Sequence, residues 1–236
     1  MPSGKILSGI VLAGAALAPA AAVEAAIVTY VGPNVTYEYD DAQAAVAWFG
    51  LPTFVGDDAV FSPVVFRADS IDGVGVHTGT NTDVAGATFL FRRITSNTPS
   101  NEITSIIAYE EGDYRIATDG WVNGDLRLTG QGLNNLLESG IVAMDNVNTS
   151  GDSAGVQLWS MSAMLTPAAS LSQVANDLRL SIQNDLSAFT DASGERAWIE
   201  KKLVLNITTV VPVPAAVWLF GSALGVVGLI RRRLAG

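Results

Sequence analysis

The chain has 236 residues, a formal net charge of −10 and 49% hydrophobic residues, with no cysteine and a single histidine, His77. The acidic excess repels phosphate backbones and so excludes nucleic acid as a partner. The missing cysteines exclude a disulfide framework, thiolate catalysis and every cysteine metal site, and one imidazole excludes a zinc centre built on several histidines. No cofactor or metal is expected.

The first segment, "MPSGKILSGIVLAGAALAPAAAVEAA", places Lys5 before a short apolar run and a small-residue exit. That order predicts a secretory signal peptide over 1–25, with cleavage after Ala25, or else after Ala20 or Ala22. The run is shorter than the roughly 20 residues that a membrane span needs. A body of 26–209 follows, in which short apolar-polar alternations are separated by turn residues. "NVTYEY", "AVFSPVVFRA" and "ATFLFRRI" read as strands. "DDAQAAVAWF" predicts a turn or two of helix capped by Asp40 or Asp41.

In "EITSIIAYEEGDYRIATDGWVNGDLRLTG", Glu110-Glu111-Gly112-Asp113 predicts a hairpin tip, and Asn123-Gly124 a second tight turn. "GQGLNNLLESG" predicts a short helix. "GVQLWSMSAML", "NDLRLSIQNDLSAF" and "AWIEKKLVLNITTV" predict further strands. Many strands, no long amphipathic helix and no fixed-period repeat predict an all-β fold, an antiparallel β-sandwich or jelly-roll-like domain.

Chemical signals in the body are sparse. "GDSAG", 151–155, matches G-x-S-x-G with Ser153 as a nucleophile, and His77 with Asp119 or Asp125 would complete a triad. That pattern defines the competing reading, a secreted serine hydrolase. Against it, an α/β-hydrolase needs its histidine after the serine and a helix where strand-like sequence follows. The stretch from His77 to Ser153 is too short for the two barrels of a chymotrypsin-like enzyme, and "NVNTSGDSAG" reads as a loop. His77 lies between Asp72 and Asp83, which is a surface loop or a set of metal-ligating side chains. Glu110, Glu111 and Asp113 supply paired carboxylates of the kind glycosidases use, or a solvated turn. "NVNTSGD" alternates oxygen-bearing residues like a calcium loop, but it has Asn146 at its first position and Gln157 at its twelfth.

The ending "VVPVPAAVWLFGSALGVVGLIRRRLAG", 210–236, is the most informative segment. Pro212 and Pro214 open an uncharged run to Ile230, where missing amide donors harm a helix least. As a helix rising about 1.5 Å per residue, the run just spans a hydrocarbon core of about 30 Å. Trp218 and Phe220 lie within the span. Gly221 and Gly225, with Gly228 beyond, are either the glycine content common in membrane helices or a small-residue face for helix pairing. Arg231, Arg232 and Arg233 follow at once and favour the cytoplasmic side.

Pro-x-Pro, apolar helix and basic cluster, in that order, resemble a PEP-CTERM sorting signal. In that family the tail implies an exosortase, a membrane-embedded protease or transpeptidase, in bacteria that export polysaccharide. Here Val213 replaces the family's glutamate between the prolines, and Val211-Pro212-Val213-Pro214-Ala215 resembles an apolar variant of the signal. Segments such as "WFGLPTFVGDDAVFSPVVFRADS" and "ITSIIAYEEGDY" also resemble domains found upstream of such tails.

The resemblance implies a non-enzymatic protein exported across the bacterial inner membrane. Its C-terminal helix anchors it transiently, an exosortase processes it, and it reaches the cell surface or matrix beside extracellular polysaccharide. A permanently anchored protein with an uncut tail is a third reading.

Overall fold

The computed structural model describes residues 26–210, apart from 64, 136–138, 154, 172–173 and 202–204, with the backbone course of 205–210. The expected signal peptide, 1–25, and the expected tail, 210–236, apart from Val210 at the end of β14, lie outside the described residues. In chain order the elements are β1 (Ile27–Val31), β2 (Val35–Asp40), α1 (Val46–Phe49), β3 (Thr53–Val55), β4 (Asp58–Phe61), β5 (Arg67–Ile71) and β6 (Val74–Gly75). They continue as β7 (Thr82–Ser96), β8 (Ser105–Ala117), β9 (Trp121–Gly132), β10 (Ile141–Ser150), β11 (Gln157–Leu165) and α2 (Pro167–Ser170). The last are β12 (Asp177–Phe189), β13 (Arg196–Lys201) and β14 (Leu205–Val210). The fold is therefore all-β, and every recorded strand pairing is antiparallel.

Two sheets share one core. The first has the order β1-β2-β7-β12-β9-β10. The second runs β3-β4-β14-β8-β13-β5-β6, with β11 on the opposite side of β8 from β14 and β13. Alternation along the strands decides which side chains meet, because successive residues point to opposite faces. In β12 the inward set is Leu178, Leu180, Ile182, Asn184, Leu186 and Ala188, all buried. The matching set in β9 includes Val122, Leu126 and Leu128.

A ring cluster joins the sheets. Phe61 of β4 meets Phe89 of β7 edge-on at 4.7 Å, and Phe89 lies 5.1 Å from Phe91. Phe49 of α1 packs against Phe61 at 5.7 Å and against Phe66 at 5.4 Å. At the sheet edge Tyr30 of β1 stacks on Phe54 of β3 at 4.0 Å, clamping the two layers there. A bulge at Arg92 puts two successive arginines outside, so that Phe91 and Ile94 both point inward.

Four expectations change here. Glu110–Asp113 is the middle of β8 and not a hairpin tip, because Glu110 is neutralised inside the core and the absence of a side chain at Gly112 admits the Trp159 ring. A Cβ at Gly112 would stand 2.1 Å from the Glu200 carbonyl oxygen and 2.5 Å from that ring. Asn123-Gly124 lies inside β9, where Gly124 leaves room for Val147, Leu186 and Met161 rather than making a turn. The helical segment shrinks to α1, which begins after Ala45 without a side-chain cap, while the Asp40 carboxylate accepts the Ala42 N–H. In "GQGLNNLLESG", Gln131 and Gly132 complete β9, and 136–138 lie outside the described residues.

Phe89→Ala removes the ring that four aromatic neighbours share. It is expected to lower unfolding stability by about 3–5 kcal/mol. Urea unfolding would show this as a lower midpoint at an unchanged slope.

Candidate functional site

The outer face of the first sheet carries an ordered array of polar and aromatic side chains. Strands β12, β9 and β10 are in register, so outward side chains form rows across the face. Phe189, Trp121 and Ser150 make the first row, and Ser187, Asn123 and Asn148 the second. Asp185, Asp125 and Asn146 make the third, and Gln183, Arg127 and Met144 the fourth. Trp121 and Phe189 lie 5.5 Å apart with rings within 7° of parallel, forming a half-buried aromatic shelf.

Two adjoining grooves run along this array. One, of about 460 Å³, is lined by Trp121, Asn123, Asn148, Ser150 and Ser187. The next, of about 370 Å³, is bordered by Asp125, Arg127, Asn146, Gln183, Asp185 and the edge residue Asp145.

The third row places two carboxylates directly opposite each other, an arrangement that costs stability between strands. Each is supported by an amide on its own strand. Asn123 donates to Asp125 at 2.5 Å, and Gln183 donates to Asp185 at 2.7 Å. The Asp185 carboxylate folds over Gly86, where a Cβ would stand 2.2 Å from Oδ1. The face is thus open, hydrophilic and net acidic, with an aromatic shelf at one end. Asn146 and Asn148, expected in a calcium loop, stand on extended β10 and point outward in this array, so the strand replaces the curved loop that such a site requires.

His77 is held at the opposite edge, beside β5 and β6. The side-chain oxygens of Asp83 accept the Asp69 N–H at 2.8 Å, the His77 N–H at 2.6 Å and the Thr78 N–H at 3.2 Å, and Oδ2 meets His77 Nδ1 at 2.7 Å. Burial alone would raise the pKa of Asp83. The hydrogen bonds from Asp69 and His77, with the nearby imidazole charge, outweigh it and hold the carboxyl below its ordinary value. Asp72 turns elsewhere and accepts the Gly194 N–H at 2.6 Å. Asp69 itself binds Arg67 and Arg196, each at 2.8 Å.

Ser153 belongs to a different part of the molecule. Its hydroxyl accepts the Ile116 N–H at 2.9 Å and lies 3.0 Å from the Ile116 carbonyl and 2.8 Å from that of Gly155. It caps the edge of β8 where β11 has not yet begun. The flanking glycines adopt φ values of +83° at Gly151 and +98° at Gly155, which only a turn needs. The structure brings His77 together with Asp83 and not with Ser153. Asp119 accepts the Gly120 N–H in a turn, and Asp125 lies on the outer sheet face.

A third polar group was not expected from the sequence. Glu110, Asn184 and Lys201 meet in the core, and the side chains of Glu110 and Lys201 are both fully buried. The strand alternation carried the signal, because each stands at an inward position of β8, β12 or β13. Among the described residues no helix is long and apolar enough to cross a membrane. Comparison with protein-family models gives no match to this chain, and neither does comparison with curated proteins.

The hydrogen bonds on Asp83 give a pH prediction. A depressed folded pKa adds stability that is complete above the unfolded carboxyl value, about 4. It is lost as pH falls through the folded value. Asp83→Asn is expected to cost about 1.5–3 kcal/mol at neutral pH, and the gap to wild type narrows on acidification below about pH 4. Urea unfolding at a series of pH values checks both parts.

Proposed function

We propose that the chain is an exported, non-enzymatic surface or matrix protein whose tail, 210–236, is a PEP-CTERM-like signal processed by an exosortase-type enzyme. The observation carrying this reading is the order of that tail: Pro212-Val213-Pro214, an uncharged run to Ile230, then Arg231–Arg233. The leader over 1–25 supplies the matching export step. The body, read as a β-sandwich of jelly-roll type, presents its binding chemistry on one sheet face. The hydroxyl of Ser153 is engaged with the Ile116 backbone, which favours the binding reading over the hydrolase.

The partner most in keeping with that face is an uncharged polysaccharide. An aromatic shelf accepts the apolar face of a sugar ring, and amides and carboxylates pair with hydroxyl groups along the groove. The acidic rows repel polymers of like charge. Extended glycan chains also suit an open face with two adjoining grooves.

Two measurements test this reading. Intact mass of the protein from its native host is expected to show loss of the residues after the Pro-x-Pro, and the full tail when the exosortase-like gene is deleted. A mass running through Gly236 in both strains would make the tail a simple anchor. Separately, Trp121→Ala is expected to weaken retention on immobilised neutral exopolysaccharide at least tenfold, about 1.4 kcal/mol, while the variant still unfolds in one cooperative transition. Equal retention of the variant would remove this face from the reading.

A further inference from the structure

The buried group at Glu110 has the composition and placement of a reaction centre. One carboxylate oxygen of Glu110 contacts Lys201 Nζ, and the other accepts the side-chain N–H of Asn184. Asn184 Nδ2 also donates to the Asp125 carbonyl at 3.2 Å. The Phe49 and Phe66 rings each lie 5.0 Å from Nζ and wall the group off from water. Among the described residues Asn184 Oδ1 has no hydrogen-bond partner, and Glu110 is the one polar group that meets Nζ. An ammonium with three donors is costly in such surroundings.

The geometry points to an intramolecular isopeptide bond between Lys201 Nζ and Asn184 Cγ, formed with Glu110 as the catalytic proton carrier. The nucleophile and the amide that would leave lie against the same carboxyl group. Burial lowers the Lys201 pKa against the opposing pull of Glu110, which favours the neutral amine needed for attack.

The step balances without any co-reactant. Glu110 takes one proton from the ammonium, and the Nζ lone pair adds to Cγ of Asn184. The C–N bond to Nδ2 then breaks. The former side-chain amide takes up the second proton shed by Nζ and leaves as ammonia, and Glu110 keeps the first, so that no buried charge remains. Nothing is oxidised or reduced.

The product suits its place. Asn184 lies on β12 of the first sheet and Lys201 at the end of β13 of the second, so the bond ties one sheet to the other through the core. It replaces a buried ion pair with a neutral amide beside a protonated Glu110. A chain without cysteine thereby gains a covalent link where other exported sandwiches place a disulfide.

Peptide mapping of the mature protein tests this, and it is independent of tail processing because it reads only the body. Trypsin is expected to yield the peptide 180–196 joined to 197–202, lighter than their sum by one ammonia and uncut after Lys201. Glu110→Ala and Asn184→Ala are expected to give the two peptides separately, with cleavage after Lys201. Asn184→Asp is expected to restore the joined peptide with loss of water in place of ammonia. The wild-type protein decides the matter even where a variant fails to fold. Separate wild-type peptides cut after Lys201 would overturn the inference, and so would loss of ammonia confined to the 180–196 peptide.

Discussion

The two sheets are held together by aromatic packing at their interface, where Phe61 and Phe49 meet Phe89 and Phe91. Without disulfides, this contact and the aliphatic rows around it carry the burden of folding. Everything with chemical interest is positioned by it. The outer face of β9 and β12 is left to polar side chains because the inner face takes Leu126, Leu128, Ile182 and Leu186. The Glu110 group is dry because Phe49 and Phe66 close over Lys201. The His77 loop sits at the periphery, where Asp83 gathers backbone donors instead of rings.

This division of labour follows from alternation. One set of residues in each strand builds the interface, and the other set is available for solution chemistry. In β12 the inward phase is aliphatic except at Asn184, whereas the outward phase includes Ser181, Gln183, Asp185 and Ser187. The same strand therefore contributes to a hydrophilic groove and, from its other side, to a buried polar centre. The two lie back to back, since Asn184 also donates to the carbonyl of Asp125.

The sequence alone made the all-β class legible, because alternating runs such as "NDLRLSIQNDLSAF" state their own periodicity. The loop that opens at Gly151 was legible through its glycine, but Asn146–Ser150, read as part of the same loop, is the end of β10. The lengths of β8 and β9 were not, because Glu110–Asp113 and Asn123-Gly124 imitate turns. Local propensity there yields to tertiary context: a buried lysine accommodates the glutamate, and the glycines make room for Trp159, Val147 and Leu186. Pairing order was also hidden. Nothing local says that β12 lies between β7 and β9, because those contacts join residues far apart in the chain. The polar centre was within reach, since the phase of β12 already marks Asn184 as inward. What the sequence did not show was that Glu110 and Lys201 arrive at the same point.

The position of β14 has a consequence for synthesis. This strand, 205–210, is not an edge: it lies between β4 and β8 and supplies the connection between them in the second sheet. The hairpin β3–β4 is made early by the ribosome, yet it has no strand to bond with on its inner side until the last described strand emerges. Maturation of the second sheet is therefore timed by the arrival of its final segment. Until then the backbone groups of β4 and β8 that face β14 stand unpaired, as two open edges awaiting one late strand.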